Sequence, residues 1–142
     1  MVAGEAVPDH FDVLIDSDAF VGWLYVEDAH HEEVSKTFDL LEHQKLIPAT
    51  TNLVLMETAT VLSHKSGQAL AGTFLDLMSG FAVVNLDETL QEETISLFKL
   101  QEAKGTSMVD CSNVVIMRAF EIPFIFSFDK FYAKHDLKYP VL

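Results

Sequence analysis

Short apolar runs alternate with amphipathic stretches along this chain, and the alternation predicts strands separated by helices. The first run, Phe11–Ile15 (Phe-Asp-Val-Leu-Ile), predicts a strand ending at Asp16. Ala19–Val26 is apolar and predicts a short helix. From Ala29 to about Glu42, Val34, Phe38 and Leu41 recur at i, i+4 and i+7, with Glu32, Glu33, Lys36 and Asp39 between or beside them, the signature of an amphipathic helix. Lys45–Ala49 predicts a brief strand broken by Pro48. Thr51 to about His64 predicts a helix with Leu55, Ala59 and Leu62 on one stripe, punctuated by Gly67. Gln68–Met78 predicts another, closed by Gly80. Phe81–Leu86 is a strand, and Asp87 caps a helix running to about Ala103 with Leu90, Leu97 and Leu100, stopped by Gly105. Ser107-Met-Val-Asp110 has the form of a capping box and opens a helix to about Phe120. Pro123–Phe128 is the last strong strand, and the tail Lys138–Leu142 is a candidate short edge strand.

Four short apolar strands with one or two helices between them predict parallel pairing, because parallel neighbours need long crossovers that helices fill on both faces. The expected fold class is therefore α/β: a three-layer α/β/α sandwich around a central parallel sheet of four to five strands, with right-handed crossovers. At 142 residues the chain is expected to be one domain spanning 1–142, with no internal repeat or linker. The apolar runs are too short to span a bilayer, and the amino terminus lacks the basic patch and apolar run of a secretory signal. One cysteine, Cys111, cannot form an intrachain disulfide, so a reducing cytoplasm is the expected compartment. Nine Lys and Arg against 22 Asp and Glu give a net charge of −13, which argues against broad salt-driven nucleic-acid binding. It leaves room for a nuclease that holds phosphate through metal ions.

In parallel α/β sheets ligands bind beyond the carboxyl ends of the strands. Asp16 directly follows the first strand; Glu57 lies in the helix after the second; Asp110 opens the helix before the last strand; Asp129 follows that strand. The topology can bring these four to one edge. Crowded carboxylates repel unless cations compensate, and an all-oxygen set suits Mg²⁺ or Mn²⁺. Each acid alone also has an ordinary reading: Asp16 and Asp129 as turn residues, Asp110 as the end of a capping box. Glu57 is the most telling, since Leu53, Val54, Leu55 and Met56 beside it are apolar. Ser127 and Asn113 are second-tier candidates near the same edge. Asp18 reads as a supporting ligand or, preferentially, as the N-cap of the next helix.

These residues resemble a known family. Val13-Leu-Ile-Asp16-Ser-Asp-Ala-Phe20, Asp28-Ala-His-His-Glu32, Leu53-Val-Leu-Met-Glu57, Ser107-Met-Val-Asp110-Cys111 and Phe126-Ser-Phe-Asp129-Lys-Phe131 stand in the order and at the separations found in PIN-domain ribonucleases. Within that group the chain resembles the VapC-type toxins of toxin–antitoxin pairs, over nearly its whole length. The resemblance implies metal-dependent cleavage of RNA, with Asp16, Glu57, Asp110 and Asp129 as the acidic, metal-holding pocket. It also implies a homodimer and inhibition by a small antitoxin whose tail enters the pocket. Tyr132-Ala-Lys-His135 matches no motif of the family, and Lys65, Arg118, Lys130 and Lys134 are the candidate local cations for an RNA path.

Two other functions stay open at this point: a PIN-like binding or regulatory module that does not cleave, and a haloacid-dehalogenase-like phosphatase using Asp16 as nucleophile and Asp18 as acid/base. The phosphatase pattern expects a Gly-Thr pair where this chain has Ala19-Phe20. His30 and His31 are adjacent and diverge by ~100° on a helix, unlike a zinc-binding i,i+4 pair. Cys111 reads as a buried small residue, and Trp23 and Tyr25 as a candidate dimer surface.

Overall fold

The computed structural model describes residues 10–135. Its elements run β1 (Val13–Ile15), α1 (Ser17–Leu24), α2 (His31–His43), β2 (Pro48–Thr51), α3 (Asn52–Ser66), α4 (Gln68–Met78), β3 (Val83–Val84), α5 (Glu88–Lys99), α6 (Met108–Ala119) and β4 (Phe124–Phe126), followed by a 3₁₀ turn over Lys130–His135. The strands form one parallel sheet in the order β3-β2-β1-β4. Val13, Leu14 and Ile15 face Phe124, Ile125 and Phe126 residue for residue, so the central strand is locked to β4. The proposed edge strand Lys138–Leu142 lies outside the described residues.

Strand periodicity divides the core. Val13, Ile15 and Phe126 point to one face and pack with Phe20, Val34, Leu62 and Phe74 of α1 to α4. Leu14, Ala49, Val84 and Ile125 point to the other and pack with Leu90 of α5, Val114 and Met117 of α6, and Tyr132. Helices on both faces make the three-layer sandwich expected from the sequence. Val13, Leu14 and Ile15 are each fully buried, a contribution of ~1.5–3 kcal/mol apiece.

Caps place the helix starts. Thr51 accepts from Val54 N at 3.0 Å, Asp87 from Leu90 N at 2.8 Å, and Ser107 from Val109 N at 3.1 Å. Gly67 joins α3 directly to α4, and its φ of +94° is a conformation that favours glycine. Gly22 lets α1 and α2 approach: a Cβ there would stand 2.8 Å from Val34 Cγ2.

Several expected boundaries shift. The second strand is Pro48–Thr51, not Lys45–Ala49: Pro48 begins it, and Thr50 and Thr51 are wholly buried because their hydroxyls bond Ile15 O and the α3 backbone. α5 ends at Lys99 rather than near Ala103, leaving Leu100 76% exposed and off the predicted stripe. On α3 the buried stripe is Val54, Thr58 and Leu62, one position from the expected Leu55 and Ala59. Among the described residues no helix is long and apolar enough to cross a membrane.

Candidate metal centre

β1 ends at Ile15, and the chain turns at once into α1, which puts Asp16 at the carboxyl edge of the central strand. Asp16 N bonds Phe126 O across to β4 at 3.1 Å, so the residue belongs to both the sheet and the helix start. The carboxylate is 4% exposed, yet four donors surround it. Oδ1 accepts from Ser17 N at 2.8 Å and Asn113 Nδ2 at 3.2 Å; Oδ2 accepts from Ser127 Oγ and from the Tyr132 hydroxyl, each at 2.9 Å. Burial pushes the Asp16 carboxyl above its ordinary range, these hydrogen bonds pull it back, and the charge of Asp129 pushes it up again.

α6 brings Asp110 and Asn113 to the same edge, three residues apart and so on one helix face. Asp110 Oδ1 lies 3.0 Å from the Tyr132 hydroxyl. Burial, then the charges of Asp16 and Asp129, push Asp110 up to about 7. A hydroxyl has a single hydrogen. Tyr132 therefore donates to one of its two acids at a time, and a protonated Asp110 can donate in return. The Ser107 cap forms, but Asp110 does not reach back to complete a box; its carboxyl turns to Tyr132 and Asp129.

Glu57 projects from α3, half-buried. It is pushed up by burial and by the charge of Asp16, with the Ser17 hydroxyl bond opposing. Asp129 leaves β4 exposed, accepts from Phe131 N at 2.9 Å, and acts electrostatically on Asp16 and Asp110. Glu57 from α3, Asp110 from α6 and Asp129 from the β4 exit thus all lie within electrostatic reach of Asp16 at the start of α1.

Asp18 departs from its expected capping role. Asp16 is the N-cap of α1, while Asp18 Oδ2 accepts from Phe128 N at 2.9 Å and Ser127 Oγ at 3.2 Å, tying the first turn of α1 to the β4 exit. Burial, and next the charge of Asp16, push Asp18 up to about 7. Tyr132 is the site residue that sequence reading missed. It resembles one more core aromatic, and its contacts with Asp16 and Asp110 span 116 and 22 residues. The available signal was a phenolic oxygen, which needs a polar partner when buried, three residues after Asp129.

Of the candidate cations, Lys130 lines a cleft with Asp110, Asp129, Lys104, Gly105 and Phe131. Lys65 and Arg118 sit in the last turns of α3 and α6, helices that run away from the acids; Arg118 is ~12 Å along the axis from Asp110. The Lys134 side chain lies outside the described residues. His31 Nδ1 contacts Gly22 O at 2.8 Å, and the His30 ring stacks on Phe128 with centroids 3.9 Å apart. Cys111 is fully buried beside Asp110, with its thiol pushed up by burial. Trp23 packs on Phe38 at 5.0 Å, and Lys65 covers the Tyr25 ring at 5.5 Å.

Among the described residues no three His, Cys, Asp or Glu side chains stand ready to hold a metal ion. The donor chemistry nevertheless fits a hard divalent cation: the set is all oxygen, and Asp18 Oδ1 and Asn113 Oδ1 are buried beside Asp16 with no hydrogen-bond partner. An α/β protein with an acidic pocket at the carboxyl edge of a parallel sheet is the class that fold and site define. More narrowly, the chain belongs to the PIN domain family, whose sequence model matches residues 13–137. No curated protein sequence matches it. It is similar in structure to VapC20 of Mycobacterium tuberculosis, a sarcin–ricin loop cleaving toxin, with a TM-score of 0.79 and 21% identity over 89% of this chain and 96% of that one. It is similar also to VapBC2 of Rickettsia felis, bound to a DNA fragment from their promoter, with a TM-score of 0.67 and 14% identity over 91% of this chain and 97% of that one.

Proposed function

We propose that the chain is an Mg²⁺- or Mn²⁺-dependent endoribonuclease, the toxin of a toxin–antitoxin pair. The observation that carries this reading is the gathering of Asp16, Glu57, Asp110 and Asp129 at one sheet edge in a PIN-family chain. In this proposal those four acids hold the ion, while Ser127 and Asn113 position the Asp16 carboxylate through its two oxygens. When bound, such an ion would neutralise phosphodiester charge and ease loss of a proton from the water that attacks phosphorus in line. Lys104 and Lys130, on the wall of the adjoining cleft, offset the −13 charge where an RNA backbone would pass. The VapC20 similarity supports RNA as substrate, and the VapBC2 similarity supports a partner protein acting as antitoxin. A homodimer in the cytoplasm completes the reading.

The test is an RNA-cleavage assay on wild type and Asp16→Asn, with Mn²⁺ and with excess chelator. Cleavage is expected only in wild type with metal, with Asp16→Asn folded but inactive. Full activity in chelator, or equal activity in Asp16→Asn, overturns the proposal. A non-cleaving PIN-like module is the second reading, favoured by the strong negative charge; it predicts no cleavage under any of these conditions. The phosphatase reading loses support, because the family model that matches residues 13–137 is the PIN domain and Ala19-Phe20 stand where the phosphatase pattern needs Gly-Thr.

A further inference from the structure

Asp16 is ringed by donors. Its two oxygens offer about four acceptor sites, and four protein donors stand within hydrogen-bond distance of them, so that all four sites are taken whenever both hydroxyls point at Asp16. A cation that ligates this carboxylate must take one of those places. Ser17 N is fixed backbone. Asn113 is wholly buried and spends its amide on both Asp16 and the Tyr132 oxygen, at 3.2 and 3.0 Å. The two hydroxyls can turn to a second acceptor: Ser127 to Asp18, and Tyr132 to Asp110. Of these, only the Tyr132 hydroxyl lies between two acids of the proposed metal set, 2.9 Å from Asp16 Oδ2 and 3.0 Å from Asp110 Oδ1. Its ring is 0% exposed and packs in the layer of Val114 and Ile125, so the hydroxyl cannot swing out to water.

We propose that Tyr132 is a built-in competitor for the cation: its hydroxyl engages the facing oxygens of Asp16 and Asp110, and a divalent ion loads only as that hydroxyl turns off Asp16. The inference rests on the reading that these acids bind a divalent cation. It gives Tyr132 a thermodynamic role opposite in sign to that of a residue that pre-arranges ligands. A positioning tyrosine strengthens metal binding, whereas a competing one weakens it, because the ion must first displace a charge-assisted hydrogen bond.

The experiment is Mn²⁺ titration by calorimetry, without RNA, on the chelator-stripped full chain as wild type, Tyr132→Phe and Asp16→Asn. Wild type is expected to bind, Asp16→Asn to lose binding, and Tyr132→Phe to bind roughly tenfold tighter or more, from the loss of one such bond. Equal or weaker binding by Tyr132→Phe overturns the inference and leaves the proposed function standing. Absence of Mn²⁺ binding in wild type overturns both. A second measurement does not depend on the variant folding: Mg²⁺ titration of wild type carrying ¹³C-labelled tyrosine, with Tyr132 assigned through Tyr25→Phe and Tyr139→Phe. The Tyr132 Cζ resonance is expected to move as its hydrogen bond is re-aimed; an unmoved resonance at saturating Mg²⁺ overturns the inference.

Discussion

Replacing Asp110 with asparagine removes a charge from the crowded edge while keeping the side-chain shape. The introduced amide can accept from the Tyr132 hydroxyl through its oxygen and donate to Asp129 through its nitrogen, so a repulsive contact becomes a bonded one. Asp110 is held at about 7 against an ordinary 3.8. Fully shielded, that difference amounts to roughly 4 kcal/mol at about 1.4 kcal/mol per pH unit. The carboxyl is only half-buried, and solvent screening reduces the figure to about 1–2 kcal/mol, or roughly 3–6 °C in Tm. The sign follows from linkage: a carboxyl whose pKa is raised by folding favours the fold while protonated, below about pH 4, and that contribution is lost as pH rises through about 7. In chelator at pH 8, Asp110→Asn is therefore expected to melt several degrees above wild type, while cleaving no RNA. At pH 4 the gap closes. Saturating Mn²⁺ at pH 8 narrows it from the other side, by stabilising wild type more than the variant. The assay is thermal unfolding followed by circular dichroism. A variant that melts at or below wild type in chelator at pH 8 refutes the reasoning that burial, with like-charge crowding added to it, strains an ionised Asp110 at this edge.

Gly22→Ala gains about 1 kcal/mol of helix propensity but forces a Cβ to within 2.8 Å of the fully buried Val34 Cγ2, so a net loss of about 1 kcal/mol is expected in urea unfolding, reversed in a Val34→Ala background. Ser107→Ala removes the acceptor of the Val109 and Asp110 N–H groups and is expected to cost about 1 kcal/mol in the same measurement; an unchanged midpoint contradicts the cap's role.

The layers of this fold were legible because β1 and β4 are apolar on both faces and α5 and α6 carry their caps in plain sight. Val13-Leu-Ile and Phe124-Ile-Phe read as buried parallel strands, and Asp87 and Ser107 mark helix starts where the structure has them. β2 was displaced because Thr50 and Thr51 look polar while their hydroxyls are satisfied inside the sheet, a compensation hydropathy cannot register. At the site, acids at strand ends and on the neighbouring helices could be selected by topology alone, and in the structure Glu57, Asp110 and Asp129 each interact electrostatically with Asp16. The bonds of Asp18 to Phe128 and Ser127 could not be read that way, since they join residues 110 and 109 positions apart. Tyr132 escaped for the same reason: a long-range contact set by the docking of the terminal turn leaves no local periodicity.

Strand β1 is flanked by β2 and β4, so the second neighbour of the first strand is the last strand among the described residues. Ser127 reaches Asp16 across 111 residues. A growing polypeptide therefore carries Asp16 and Glu57 long before it carries Asp110, Ser127 and Asp129, and the pocket cannot assemble until nearly all of the described chain has been synthesised. Truncation anywhere before the end of β4 therefore removes Ser127 and Asp129 together, leaving Asp16 without these long-range partners.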